Sequence, residues 1–599
     1  MKSSKTLYQN HRSKYEKLYN KLEKEIHSIG FYRLVTFLTG FIVAIFSYRI
    51  ELYYLFWSSS IVFSSLFIYL VIIHHKLENF NNYVRSITKI NKDSIDRLDG
   101  KWVDFQDIGQ EFQDENHEFS QDLNIFGRGS LFQWVNTTNT LYGRKKLKEF
   151  LTNPLYKKEV ILEKQEALIE LGKKRWWRQR FQVEAMQINE KIREDIKLFN
   201  WIKNPNSLYA RKEMIYIIRL LPTITIISFL LAFVYQTIPS IIPMLALLLH
   251  IGLMLLDVKK RNIVLRNIYT FQKNIKVYGR MLEHFEKANF KSKYINNIKD
   301  KIKTQNGLAA FEQLRMLQKI VDSISNRSNL FFFIINIVLL WDYQCMVSLE
   351  NWKKQSAHLT EKWIQSLGEV EALSSLAIIN SDYPDWAIPE LTTYPSMLKA
   401  KELGHPLLTN EQTFNDIKID KSSRILLITG SNMSGKSTLL RTTGINLILA
   451  YVGAPVCAQN FKCSIMRIFT CMNVSDNLEK GISSFYAELL RIKNILEATK
   501  ENIQVFFLLD EIFKGTNSYD RHLGAKMLIN KLLRQNSIGL VSTHDLELGE
   551  LEEENNYIAN YNFQEYYKDN QIFFDYKLRR GVSTTRNALY LMKMIGIED

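Results

Sequence analysis

Apolar residues fall along this chain in three rhythms. Residues 34–48 and 52–73 are nearly unbroken apolar runs. The second is about 22 residues long, which as helix spans roughly 33 Å. A second pair, residues 220–235 and 238–256, is divided by Gln236 and Thr237 and marked by Pro239 and Pro243. Each link is too short to hold a domain, so each pair predicts a helical hairpin that enters and leaves an apolar phase on the same side. The alternative is core helices of a large globular body, but runs this apolar on every face need burial all round. Residues 330–341, only about twelve, are too short for a span and read as a buried core helix. The second rhythm is helical spacing, in Tyr15, Leu18, Leu22, Ile26 and Ile29, and again in Phe80, Tyr83, Val84, Ile87 and Ile90. Long charged helices follow the second hairpin, over residues 258–287 and from Ala309 onward. The third rhythm is short buried strands in the last third of the chain, at residues 425–428, 505–509 and 538–543.

Charge orients the hairpins. Lys and Arg crowd residues 12–24, 85–101, 211–219 and 259–266, outside the hairpins, while the inner links hold almost none. By the positive-inside rule both termini and the strand-rich part lie in the cytoplasm, the hairpins crossing a bacterial-type inner membrane. The first 30 residues are charged and lack an apolar stretch with a cleavage site, so no removable signal peptide is evident. Cys345, Cys457, Cys463 and Cys471 show no metal-ligand spacing and read as reduced core residues. The boundaries expected are an amphipathic cytoplasmic helix at 1–30, a first membrane hairpin at 31–75 and a linking helix at 76–120. A helical core begins at 121–212, a second hairpin takes 213–257, lever helices and the rest of the core 258–390, and an α/β domain 391–599.

The strands carry chemistry at their ends. The first runs into Gly430-Ser431-Asn432-Met433-Ser434-Gly435-Lys436-Ser437-Thr438, a phosphate-binding loop between a strand and a helix. Its glycines let backbone N–H groups turn toward phosphate oxygens, Lys436 offers a charge to the β- and γ-phosphates, and Ser437 a hydroxyl to Mg²⁺. The second strand ends in Asp510 and Glu511, the first suited to hold Mg²⁺ and the second to orient or deprotonate an attacking water. The third ends in His544, within reach of a γ-phosphate. Alone, Glu511 and His544 read as a solvated carboxylate and a loop histidine. At strand ends of one sheet they predict an ATPase using ATP and Mg²⁺.

The residues around these motifs resemble the MutS family of DNA mismatch-repair ATPases. The resemblance lies in Thr429–Thr438, Arg441-Thr442, the run from Ala450 to Ala458, Gly481–Glu488, Asp510–Asn517 and Ser542–Asp545. Upstream, Asp122–Phe126, Ser130–Phe132, Asn136–Leu147, Asn153–Leu155, Glu166–Leu171 and Leu367–Ala377 follow the order of the family's helical core. Tyr576–Ser583 and a helix to Gly596 resemble its closing segment. The fold implied is multidomain: a P-loop α/β ATPase domain of MutS/ABC type preceded by an all-α MutS-like core carrying two transmembrane helical hairpins. The resemblance implies a homodimer with composite sites, in which Ser483 reaches the partner's nucleotide and Phe414 stacks on adenine; Ser483 equally suits a helix N-cap. Ser431, Ser434, Cys457 and Phe513-Lys514 depart from the family pattern, without removing a catalytic group. No mismatch-reading domain precedes residue 120, and the second hairpin lies where the family carries its DNA clamp.

Two functions follow as expectations. One is a membrane-anchored MutS-like ATPase that binds DNA in a repair- or recombination-related role. The other is an ATP-driven membrane machine acting on a membrane partner or lipid without mismatch recognition. A net charge of +16 permits DNA binding, and Lys173–Arg180, basic and aromatic, is a candidate for the phosphate backbone. The same charges also suit a solvated helix face or contact with anionic lipid.

Overall fold

The computed structural model describes the 599-residue chain except residues 1, 155, 189–200, 203–208, 210, 305–307, 326–329, 409–411, 432, 473–483, 502–503, 536, 569–570 and 584–599. It divides into two compact units: Met1–Asn136, Lys148–Gln179 and Leu376–Asp599 in one, Thr137–Leu147 and Arg180–Ser375 in the other.

The first unit opens with a hairpin of two long helices, α1 (Lys2–Arg49, 48 residues) and α2 (Tyr53–Leu98, 46 residues). The turn between them uses Glu51 at φ 60°, and Leu52 N–H closes back on Ser47 O at 3.0 Å. Gly40 lets the pair approach closely, since a Cβ there would meet the Phe63 side chain at 2.8 Å. Phe41, Ile42, Phe46, Trp57 and Ile61 all face outward and exposed. The amphipathic N-terminal segment and the first apolar run form one uninterrupted helix. On α2 the stripe Val84, Ile87 and Ile90 is buried, as its spacing predicts, while Phe80 is exposed. Helices α3 (Leu131–Val135) and α5 (Lys158–Lys173) follow in this unit, while α4 (Leu141–Thr152) and α6 (Arg175–Ala185) each divide between the two units.

The second unit is helical. It holds α7 (Lys212–Phe233), α8 (Ile241–Leu255), α9 (Val258–Thr270), α10 (Gln272–Glu286), α11 (Lys293–Ile302), α12 (Ala310–Ser325) and α13 (Leu330–Leu339). It also holds all but the last residues of α14 (Trp341–Asp382). Among the described residues α1, α2 and α7 are long and apolar enough to cross a membrane, by length and composition. Helix α8 meets that test only together with α9, bent from it by 70°, and α13 only with α14, bent by 69°. The expectation of a buried core helix at 330–341 is corrected: Phe333, Ile334 and Ile335 are exposed, because α13 packs along one side only, against α7 and α8.

The rest of the first unit is α/β. A four-stranded sheet has the order β1 (Glu390–Thr392), β5 (Asn460–Ser464), β2 (Leu398–Leu403), β3 (Asn415–Ile419). The main sheet has six strands, in the order β10 (Gln571–Arg580), β9 (Ile558–Lys568), β4 (Ile425–Thr429), β8 (Ile538–Thr543), β7 (Val505–Asp510), β6 (Arg467–Cys471). All neighbours are parallel except β10 on β9. Strands β4, β7 and β8 are buried along their whole length, which is why they read as continuous apolar runs rather than alternating ones. Helices α15 (Lys436–Tyr451), α16 (Ser484–Ala498) and α17 (Ser518–Arg534) accompany them. Asp122, read from sequence as the start of the helical core, is instead built into this domain. Its carboxylate accepts from Thr470 Oγ1 at 2.7 Å, Met472 N–H at 3.1 Å and Arg491 at 3.1 Å.

Candidate functional site

Parallel strands finish at one edge of their sheet, so the chemistry carried at the ends of β4, β7 and β8 converges there. The loop after β4 curls through left-handed backbone at Gly430 (φ 144°), Met433 (φ 70°) and Gly435 (φ 105°), then enters α15. A Cβ at Gly430 would meet Phe563 O at 2.9 Å, so the close turn requires glycine. Lys436 is buried, and its ammonium donates to Gly430 O at 2.7 Å and Ser431 O at 2.9 Å. Burial lowers its pKa, against the pull of Glu511 and Asp510.

Glu511, in left-handed backbone at φ 49°, brings its carboxylate 3.7 Å from Lys436, 2.8 Å from Lys514 and 3.7 Å from His544. His544, Lys514 and Lys436 together hold its carboxyl down at about 2, against the effect of burial. Asp510 is buried at the end of β7 and accepts from the Ser542 hydroxyl on β8. The loop after β7 is fixed from α16, where buried Glu488 accepts from Phe513 N–H.

Beside these groups lies a cavity of about 470 Å³, within the usual range for small-molecule sites. Ser431, Met433, Gly435, Lys436, Ser437, Thr438 and Glu511 line it. The residues fit a nucleoside triphosphate with a divalent cation. The helix N-terminus and the loop supply N–H donors, Lys436 a cation, Ser437 and Asp510 oxygen ligands. The buried Ser434 hydroxyl has no hydrogen-bond partner among the described residues.

The other expected site residues fall as follows. Asn432 and Ser483 lie outside the described residues, as does the helix to Gly596. Phe414 is partly exposed and packs at Gly404, while its neighbours Thr413 and Asn415 line the cavity. Two residues escaped the sequence reading. Tyr576, on the β10 bulge at φ 54°, lines the cavity and lies against Gly435, where a Cβ would meet its ring at 3.1 Å. Glu565 on β9 is buried and accepts from the Ser431 hydroxyl at 3.0 Å. Tyr576 opens the stretch to Ser583 that resembles the family's closing segment, a resemblance that gave it no role at the site, and no motif signalled Glu565 for the site.

Part of the basic stretch at Lys173–Arg180 is engaged in packing, while Lys173 and Arg180 are exposed. Arg178 is buried, donating to Leu171 O at 2.8 Å and Ser381 Oγ at 2.9 Å. Arg175 lies over the Tyr8 ring at 4.6 Å, and the Trp176 ring meets His11 at 4.1 Å, tilted by 38°. These side chains hold α6 to α1. All four cysteines are buried thiols outside any disulfide, and burial pushes the Cys457 thiol up to about 12.

Sequence comparison places the α/β domain among known proteins. The family described as MutS domain V matches residues 426–599. The DNA mismatch repair protein MutS of Acetivibrio thermocellus is 33% identical over 269 residues, covering 43% of this chain and 30% of that protein. Its namesake in Persephonella marina is 31% identical over 244 residues, 40% of this chain and 28% of that protein. That of Listeria monocytogenes serotype 4a is 31% identical over 261 residues, 42% and 30%. The chain therefore spans less than a third of the length of these relatives.

Proposed function

We propose, for a chain that belongs to the MutS family through its domain V, that it is a membrane-anchored ATPase. It hydrolyses ATP in composite sites of a homodimer and couples that cycle to DNA. The observation that carries the ATPase is the gathering of Lys436, Glu511 and His544 at one end of the sheet, beside a cavity lined by the phosphate loop. Membrane anchoring rests on the exposed apolar hairpin of α1 and α2. DNA rests on the relatives' described role and the net charge of +16.

The chemistry follows from the geometry. Lys436 exchanges its loop carbonyls for the β- and γ-phosphate oxygens when nucleotide enters. Ser437 and Asp510 would hold Mg²⁺, which supplies positive charge to those oxygens. Glu511 is held ionised beside Lys514, Lys436 and His544, and orients the attacking water as a carboxylate that accepts its proton. His544 donates toward the γ-phosphate, and Ser483 of the second protomer completes the site.

A specific observation favours the membrane machine as a second reading. Arg175 and Arg178 are engaged with Tyr8 and Ser381, so two cations of the basic aromatic stretch are committed inside the protein, while Lys173 and Arg180 stay exposed. The deciding experiment is the ATPase rate of the full chain in nanodiscs, with and without duplex DNA, beside Glu511→Gln. Salt-sensitive stimulation by DNA that is absent in Glu511→Gln supports the first reading. Hydrolysis indifferent to DNA but altered by lipid composition supports the second. No hydrolysis above the Glu511→Gln background rejects the ATPase.

A further inference from the structure

Three consecutive residues at the start of α14 are each fastened to a different helix. Asp342 is buried, receives Asn336 Nδ2 of α13 at 3.1 Å and lies 3.9 Å from the equally buried Arg261 of α9. Its own N–H is accepted by Asn336 Oδ1 at 2.9 Å, so Asn336 caps the helix that follows the break at Leu340 (φ 48°). The Tyr343 hydroxyl donates to Leu253 O of α8 at 2.5 Å, and Arg261 caps the same helix end through Met254 O at 2.7 Å and Leu256 O at 3.0 Å. Gln344 reaches α7, donating to Ile218 O at 2.8 Å. That carbonyl is the one Pro222 leaves without its helical donor, four residues on.

The three attachments come from consecutive residues, and beyond them exposed cations stand among exposed apolar side chains such as Tyr216 and Ile263. On one side α7, α8 and α13 expose Ile224, Phe229, Leu245, Leu248, Phe333 and Ile334, the last two 65% and 61% exposed. At or just past the junction stand exposed cations, Arg219, Lys259 and Lys260, the complement of anionic headgroups. Within the apolar part the only described titratable side chain that is fully buried, His250, joins all three helices. Its Nε2 lies 3.1 Å from Thr225 Oγ1 and its Nδ1 2.7 Å from Ile337 O, so Nδ1 carries a hydrogen. Helix α13 has 10 residues, and about 15 Å of helix reaches roughly half-way through a hydrocarbon core.

We propose that α13 is a third membrane-embedded segment, a half-length helix whose exposed face meets the acyl chains of one leaflet beside α7 and α8. Asp342, Tyr343 and Gln344 set all three helices at one depth. The inference rests on the membrane reading above and adds a segment that its length excluded.

The test places single cysteines in the full chain at Phe333→Cys and Ile334→Cys, at Ile61→Cys in α2, and at Met316→Cys on α12. All four positions are exposed. Each is labelled with bimane and reconstituted in phosphatidylcholine–phosphatidylglycerol vesicles, with unmutated protein, whose cysteines are buried, as blank. The proposal expects the α13 sites, like Ile61, to lose most of their fluorescence to brominated acyl chains and little to aqueous iodide. Met316 should behave in the opposite way. Iodide quenching at α13 with lipid quenching at Ile61 overturns the proposal and leaves the membrane reading standing. Iodide quenching at both sinks both. Quenching by neither at α13 means that protein covers this face, a second copy or a partner, and also overturns it.

Discussion

Glu371 on α14 is a buried carboxyl closing the N-terminus of α4, and its protonation sets a pH dependence that can be measured. It accepts from Asn139 N–H at 2.9 Å and Thr140 N–H at 3.4 Å, and the Thr140 hydroxyl donates to its second oxygen. Burial outweighs those bonds and pushes the carboxyl from 4.5 up to about 7. The folded protein then holds a proton that the unfolded chain has released. The stability contributed is full below about pH 4.5 and is lost as pH rises through about 7. That gap, at about 1.4 kcal/mol per pH unit, is worth roughly 3 kcal/mol. Glu371→Gln removes the titration yet keeps an oxygen for the two N–H donors and an amide facing Thr140. The assay is thermal unfolding of parent and variant in nanodiscs from pH 4.5 to 8.5, read as the difference, so that other titrations cancel. The difference should move in the variant's favour across that window by roughly 6–12 °C, at about 2–4 °C per kcal/mol for a unit of this size. A difference that stays flat with pH refutes the reasoning, because Glu371 would then be ionised in the folded state.

Other substitutions test separate parts of the account. Gly143→Ala should destabilise the same region, since a Cβ there meets the Glu371 carboxylate at 2.4 Å; loss of protection from hydrogen exchange at residues 139–145 would show it. Lys514→Ala removes a cation at 2.8 Å from Glu511, so the Glu511 carboxyl should rise from about 2 toward its ordinary value. The acid limb of the ATPase pH profile should move upward with it; an unmoved limb refutes the pairing. Tyr576→Ala should weaken nucleotide binding by about 1–3 kcal/mol if the ring meets the base, and by more than Phe414→Ala, as titration calorimetry would measure. Arg178→Ala should cost about 2–4 kcal/mol in stability by stranding buried partners and leave DNA affinity, if present, unchanged.

The phosphate loop, Asp510, Glu511 and His544 were legible because each sits at the end of its own apolar strand, and parallel strands bring such ends together. Glu565 and Tyr576 were not, because they come from β9 and β10. Their nearness to the loop is created by sheet order, which places β9 next to β4 although more than a hundred residues separate them in sequence. Length misjudged α13, since twelve apolar residues can be core or surface, and packing on one side alone decided it. Charge left Lys173–Arg180 open between packing, solvent, lipid and DNA for a related reason. Composition counts cations, whereas Arg178 is already committed to a backbone carbonyl and Ser381. The two hairpins and the helical stripes were read from periodicity, but their ends were not. Nothing in the sequence marks a break where the polar stripe of α1 meets its apolar run, and the structure has none.

That missing break has a mechanical consequence inside the first unit. Tyr8 donates to Asp382 Oδ1 at 2.6 Å, and Ser4 to Ser381 O at 2.9 Å, so the start of α1 is fastened to the last residues of α14. Those residues lead directly into the strands of the α/β domain. From Tyr8, α1 runs unbroken to Arg49, about 62 Å of helix at 1.5 Å per residue. A flexible linker at residue 30 would dissipate a displacement at the α14 end before it reached the apolar hairpin. A continuous helix bends only gently over such a length without a proline or a bulge, and α1 contains no proline. The unbroken helix is thus a stiff connection between Ser381 and Asp382 and the turn at Glu51, and the Tyr8–Asp382 bond is one of the two contacts that fasten its start.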